Sequence, residues 1–236
     1  MRIMITGRGR MGMMTAKLAE EQGYQVVFME DGDQQGEPAD VIIDFTSPQA
    51  LNKIIAAAEA NGTPLVTGTT GFSSEDTARL RSLSAEVPVL ASANFSFGIA
   101  LMRRMLDDCG RLLIDNGFDC EIEEIHHRNK ADAPSGTAKL LFDTLNANGT
   151  LTPVYGRCGT EARRSSGEVG IHALRGGTVA GRHRVSFFGE DEIVEISHEA
   201  GSRRIFAAGA LMAAERLALM PAGWYTFDEI LFGGAR

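Results

Sequence analysis

Apolar and β-branched residues in the early part of the chain gather into short runs: Ile3 to Thr6, Tyr24 to Met29, Val41 to Phe45, Leu65 to Thr67 and Val87 to Ala91. The stretches between them carry apolar residues at a helical period, which is the rhythm of a parallel α/β sheet. Between the first two runs, Met11, Met14, Thr15 and Leu18 share one face, Lys17, Glu20 and Glu21 fall outside it, and Gly23 supplies a stop. That spacing predicts a helix. Beyond Phe97 the pattern changes to a helical stretch ending near Leu113, a strand from Asp119 to Ile125 and a helix from about Gly136 to Asn146. Strand-like runs follow at 168–175, 178–188 and 192–198. Strands that succeed one another without helices predict a mainly antiparallel sheet. Arg204 to Leu219 returns to helix, and the tail from Trp224 to Leu231 is expected to pack against the first domain.

Of the 236 residues, 44% are hydrophobic and 23% charged, enough for one or two buried cores. No apolar stretch approaches the roughly 20 residues of a membrane span. The N-terminus enters its first strand almost at once and has no apolar segment with a cleavage site, so a cytoplasmic setting is expected. Cys109, Cys120 and Cys158 are too few and too scattered for a disulfide framework or a metal quartet. The net charge of −8 argues against nucleic acid as a partner. An acidic protein that handles an anionic small molecule must concentrate positive charge locally, and residues 126–130 do so.

Two features carry chemistry. The first is Gly7-Arg8-Gly9-Arg10-Met11-Gly12, placed directly after a strand and directly before a helix. Gly7 permits the tight turn, Gly9 lets the backbone approach a pyrophosphate, and Gly12 allows close packing of helix on strand, with the helix N-terminus facing the anion. Glu30 and Asp31 end the second strand roughly 20 residues on, where either carboxylate can take the ribose hydroxyls. The acidic pair favours NADH, whereas Arg8 and Arg10 could attract the extra phosphate of NADPH. Two more turns, Gly68-Thr69-Thr70-Gly71 and Ala93-Asn94-Phe95-Ser96, follow the fourth and fifth strands, at the sheet edge where ligands bind; plain loop geometry is the alternative for each.

The second feature is the segment from His126 to Ala138, with two His, an Arg and a Lys between a strand end and a helix start. Ser135 can cap the helix, leaving the amides of Gly136, Thr137 and Ala138 as an anion site fit for a substrate carboxylate. Reduction of a polarised double bond needs an acid, and His126 is the candidate, with Lys130 stabilising negative charge or sharing the proton transfer. Arg128 reads equally as a salt-bridge partner. Metal-ligand spacing on ordered elements is missing, so no catalytic metal is expected.

The segment His126-His127-Arg128-Asn129-Lys130-Ala131-Asp132-Ala133-Pro134-Ser135-Gly136-Thr137-Ala138 closely resembles the signature of the 4-hydroxy-tetrahydrodipicolinate reductase family. The resemblance extends to the Gly-Arg-Met-Gly turn at 9–12, Ile43-Asp44-Phe45-Thr46, Gly68 to Gly71, Ala93 to Gly98, Gly181-Arg182-His183, and Ser202-Arg203 before Phe206-Ala207. It implies an α/β fold in which residues 1–97 and 207–236 form a Rossmann-like dinucleotide-binding domain. Residues 98–206 would form an inserted α+β substrate and oligomerisation domain, and the assembly would be a homotetramer. It also implies NADH- or NADPH-dependent reduction of a small dicarboxylate, 4-hydroxy-tetrahydrodipicolinate, on the diaminopimelate route to lysine. By position, His126 would be the acid/base and Lys130 the second catalytic residue, with His127, Ser135, Gly136 and Thr137 at the substrate carboxylate. Gly7 to Gly12, Glu30, Asp31, Gly68 to Thr70 and Ala93 to Ser96 would hold the cofactor. A reductase of another small carboxylate, or a catalytically silent dinucleotide sensor, are the competing readings; the sensor would need neither His126 nor Lys130.

Overall fold

The structure, a computed structural model, describes residues 1–29 and 38–233. It divides into two compact units, Met1–Phe97 with Arg203–Arg236, and Gly98–Ser202. Residues 203–206, placed above with the inserted domain, fall in the first unit, where the helix Arg204–Leu217 begins.

The first unit is built on a six-stranded sheet, all of it parallel: β1 (Arg2–Thr6), β2 (Gln25–Phe28), β3 (Val41–Asp44), β4 (Leu65–Thr67), β5 (Pro88–Ala91) and β11 (Gly223–Tyr225), in the order β11-β5-β4-β3-β1-β2. The chain builds outward from β1 in one direction to β2 and then returns to β3 on its other side, so the order reverses between β1 and β3. Every residue of β3 is buried, as expected for a strand covered on both faces. The helix α1 (Arg10–Glu21) turns Gly12, Thr15, Ala16, Leu18 and Ala19 inward. Met11 and Met14 lie at the margin of that stripe, because small residues let the helix sit close to its neighbours. α2 (Leu51–Asn61) and α3 (Ser74–Leu83) complete a core with Met4, Ile42, Leu65 and Val89. α3 starts on a capping box in which Ser73 and Asp76 exchange hydrogen bonds. α7 (Arg204–Leu217) packs on α1, and its Gly209 leaves no room for a side chain against the Phe95 carbonyl. The C-terminal tail supplies the edge strand β11, with Trp224 opposite Val89, before α8 (Phe227–Phe232).

The second unit has a five-stranded sheet: β6 (Asp119–His126), β7 (Thr152–Val154), β8 (Glu168–Arg175), β9 (Arg182–Phe188) and β10 (Ile193–Glu199), in the order β10-β9-β6-β8-β7. The expectation of a mainly antiparallel sheet is corrected: β6 pairs antiparallel with β9 but parallel with β8, and β7 with β8 is parallel too, so the sheet is mixed. The cause is two returns of the chain: α6 (Gly136–Leu145) carries it back into β7, and residues 155–167 carry it back again before β8, so both strands run in the same sense as β6. β9 then pairs with the opposite edge of β6. Residues 178–181, expected to extend β9, instead belong with 176–177 to a segment that crosses the end of β6, where His127 N–H donates to the Val179 carbonyl and Gly176 N–H to the His126 carbonyl.

One face of this sheet packs on α6 and on a helix that runs from α4 (Phe97–Met105) through a π-helical turn (Leu106–Gly110) into α5 (Arg111–Asp115). Strand alternation decides which residues face that layer. Cys120, Ile122, Glu124 and His126 are the buried positions of β6, with Val185 and Phe187 beside them on β9. No helix among the described residues is long and apolar enough to cross a membrane.

Candidate active site

In the first unit, the glycine-rich turn joins β1 to α1 at the point where the strand order reverses, the place where open α/β sheets bind ligands. Gly7 has φ +89°, a conformation that favours glycine, and a side chain there would begin 2.7 Å from Thr46 Cγ2. At Gly12 a side chain would run into the Gly7 carbonyl, so the turn can hug the helix only without one. A side chain at Gly9 would meet nothing within 4 Å, so open space lies over the turn. No side chain caps α1, and the amides of its first turn are not covered from within. These features fit a pyrophosphate. Arg8 stacks 4.2 Å from the Phe28 ring centre, Arg10 is exposed and Met11 half-buried. A cavity of about 280 Å³ beside the turn is bordered by Thr6, Gly7, Arg8, Met29, Thr46 and Lys53. Glu30 and Asp31 lie outside the described residues.

The other two turns sit at the ends of β4 and β5, on the same edge of the sheet as the first. Thr69 is buried and its hydroxyl accepts from the Thr46 amide at 3.0 Å, whereas Thr70 is exposed. Asn94 Oδ1 accepts from the Ser96 amide at 2.8 Å, Ala93 is exposed and Ser96 buried. Phe95 is a core residue, edge-on to Phe45 and Phe227, so this position offers a ligand its backbone. Gly68 lies against the Phe45 ring and its amide donates to the Asp44 carbonyl.

In the second unit, His126 ends β6 and is 8% exposed. Its Nδ1 lies 2.6 Å from Glu124 Oε2, two residues back on the same face of the strand. Glu124 is fully buried and also accepts from both terminal nitrogens of Arg175, at 2.8 and 2.7 Å, and from the Ser135 amide at 3.0 Å. Burial pushes the Glu124 carboxyl up, but the bonds from Arg175, His126 and Ser135 outweigh it and hold the group below the usual carboxylate range. An ionised Glu124 accepts the Nδ1 proton of His126 and so leaves Nε2 as the working nitrogen. Nε2 faces the space a side chain on Gly181 would fill, 3.1 Å from where its first carbon would lie.

The loop after β6 brings the remaining groups round. Lys130 pairs with Asp132 at 2.7 Å, and chiefly that hydrogen bond holds the Asp132 carboxyl low. Arg175 also donates to the Asp132 carbonyl, so one guanidinium anchors both the loop and Glu124. Ser135 caps α6 by accepting from the Ala138 amide at 3.1 Å, and its oxygen lies 3.1 Å from His183 Nε2. Being buried and engaged twice, Ser135 offers a ligand the orientation of the helix end rather than its hydroxyl. Gly136 is exposed with open space where a side chain would stand, and Thr137 and His127 are half-exposed. His183 packs edge-on to His126 with ring centres 5.1 Å apart. Burial first, and the neighbouring His126 next, push its imidazole down to about 4.

Sequence reasoning missed Glu124, Arg175 and Asp132, and met His183 only as part of a resemblance. Glu124 had a local signal, since it shares a strand face with His126. Arg175 had none: it reaches Glu124 through the β6–β8 register, which pairs it with His126.

Models of known families match two parts of the chain, dihydrodipicolinate reductase N-terminus over residues 22–95 and dihydrodipicolinate reductase C-terminus over 98–231. The 4-hydroxy-tetrahydrodipicolinate reductase of an Exiguobacterium species is 40% identical over 98% of this chain and 95% of its own. That of Staphylococcus carnosus is 41% identical over 98% and 99%. Among solved structures, a dipicolinate-bound dihydrodipicolinate reductase from a Paenisporosarcina species matches the fold with a TM-score of 0.75 and 20% identity, over 95% of this chain and 97% of that one.

Proposed function

As the chain belongs to the dihydrodipicolinate reductase family, we propose that its Glu124–His126 pair is the proton-delivering centre of an NAD(P)H-dependent reductase. The reaction is reduction of (2S,4S)-4-hydroxy-2,3,4,5-tetrahydrodipicolinate to tetrahydrodipicolinate with loss of water, in lysine biosynthesis through diaminopimelate. The observation that carries the assignment of roles is the buried carboxylate on His126 Nδ1, in the same unit as the N-terminus of α6.

NADH or NADPH, when held there, would supply a hydride for ring C4 after the 4-hydroxyl and a proton of the neighbouring ring carbon have been lost as water. Electron density then reaches the neighbouring carbon, and His126 Nε2 delivers a proton to it, so hydride and proton together account for the two added hydrogens. Glu124 holds the imidazole in the tautomer that presents Nε2 and stabilises it while it is protonated. Lys130 stabilises negative charge on the substrate. The amides of Gly136 and Thr137, with His127, hold one ring carboxylate, and Ser135 orients that helix end. The turns at Gly7 to Gly12, Gly68 to Thr70 and Ala93 to Ser96 hold the cofactor. Arg8 and Lys53, which border the cavity beside the glycine turn, support use of NADPH as well as NADH.

The protein works as a cytoplasmic homotetramer in this reading. The face of the five-stranded sheet turned away from α6 supports an assembly surface: Leu174, Phe188 and Ile193 stand exposed there, 44%, 39% and 59%.

The test follows oxidation of NADH and NADPH with substrate generated in place from pyruvate and aspartate semialdehyde. His126→Gln and Lys130→Ala should each lose about 100-fold or more in kcat while binding cofactor normally. A wild-type protein that binds NADH without oxidising it would refute the assignment and favour the sensor.

A further inference from the structure

Asp44 stands out among the buried groups. It ends β3, the strand whose other residues, Val41, Ile42 and Ile43, are apolar and fully buried, and it is itself 0% exposed. An apolar residue would serve the core there. A negative charge beneath a turn that receives a pyrophosphate is electrostatically unfavourable. What a carboxylate offers instead is two rigid acceptor oxygens. Asp44 uses both: Oδ1 accepts from Thr6 Oγ1 at 2.8 Å, Thr46 Oγ1 at 2.6 Å and the Thr46 amide at 3.0 Å, and Oδ2 accepts from Thr67 Oγ1 at 2.6 Å. Bonds of this kind to an ionised acceptor are the short, strong ones.

Each donor leads into a cofactor segment. Thr6 precedes Gly7, and Thr46 Cγ2 forms the floor on which Gly7 rests. Thr67 precedes Gly68, and its hydroxyl oxygen accepts from the Thr69 amide at 3.2 Å. Thr69 Oγ1 in turn accepts from the Thr46 amide, which closes the loop. The register pairs Asp44 with Thr6 on one side and Thr67 on the other, so a single carboxylate bridges the two strand ends that carry the two glycine turns.

We propose that Asp44 is a positioning residue that fixes the spacing between the Gly7–Gly12 turn and the Gly68–Gly71 turn, and thereby the affinity for an intact dinucleotide. This rests on the reading of the first unit as the NAD(P)H cradle. A ligand that touches only the first turn is indifferent to that spacing, whereas one that spans both is not. Asparagine at this position keeps the size but has one acceptor oxygen, and its amide turns a donor toward hydroxyls that already donate.

The experiment is calorimetric titration of the full-length protein with NADH and, separately, with ADP. For Asp44→Asn, the NADH Kd should rise about tenfold while the ADP Kd changes by less than about twofold. Thr67→Val, which keeps the shape and removes the bond to Asp44 together with the one from the Thr69 amide, should show the same split at about threefold and serves if Asp44→Asn does not fold. Equal losses for both ligands would mean a general structural role and overturn the proposal, as would unchanged NADH affinity in either folded variant. If the wild type binds neither ligand, the cradle reading itself falls and takes the proposal with it.

Discussion

At the scale of the residue, the site depends on which atoms are occupied. Glu124 accepts four hydrogen bonds in a fully buried position, so the cost of taking its charge from water is offset only while all the donors stay in place. Glu124→Gln cannot accept from Arg175 on both oxygens and cannot hold the Nδ1 proton of His126 as firmly. Its kcat is expected to fall about 100-fold or more with cofactor Kd unchanged, measured by steady-state assay and titration. Gly181→Ala should lower kcat by about tenfold, because the new methyl would stand 3.1 Å from His126 Nε2, and Kd for NADH should stay as it is. His183 gives a pH signature. Its imidazole binds a proton near 6.5 in the unfolded chain and near 4 in the folded one, so between those values the unfolded state holds more protons. Stability is therefore expected to fall as pH drops from about 6.5 to about 4, by on the order of 3 kcal/mol at most, and His198, also lowered by burial, adds in the same direction. Denaturant unfolding across that range should show the slope, and His183→Gln should remove most of it.

At the scale of the element, two junctions carry the chemistry in the proposed function, and both were legible as patterns. The turn from β1 into α1 follows from glycine spacing, because only a residue without a side chain can pass Thr46 at position 7 or the Gly7 carbonyl at position 12. Gly12→Ala is expected to destabilise the first unit by about 1–3 kcal/mol and to lower NADH affinity more than tenfold, read by thermal unfolding and titration. The start of α6 follows from Ser135, whose cap forms as its position in the sequence implies. The length of β9 was not legible. Residues 178–181 read as strand because their pattern continues that of 182–188, but the chain has to cross the end of β6 to reach its pairing edge, and those residues are used for the crossing.

At the scale of the whole molecule, each unit has its own apolar core, and the single tryptophan, Trp224, belongs to the first, where Arg81 stacks on its ring. Tryptophan fluorescence therefore reports on the first unit. Saturating NADH, at about 100 times its Kd, should raise the fluorescence-detected stability by about 2.7 kcal/mol, and a shift seen only by circular dichroism would contradict cofactor binding to that unit. By itself the sequence determined the αβ alternation, the glycine turn, the helix cap and the candidate acid, because each depends on residues close together in the chain and on local sterics or hydrogen bonding. Only the tertiary structure decided that the second sheet is mixed, that Arg175 rather than a neighbour of His126 secures Glu124, and that Asp44 joins two distant turns. Those outcomes are set by which strands lie side by side, and strand neighbours are chosen by the packing of whole faces, which no local pattern encodes.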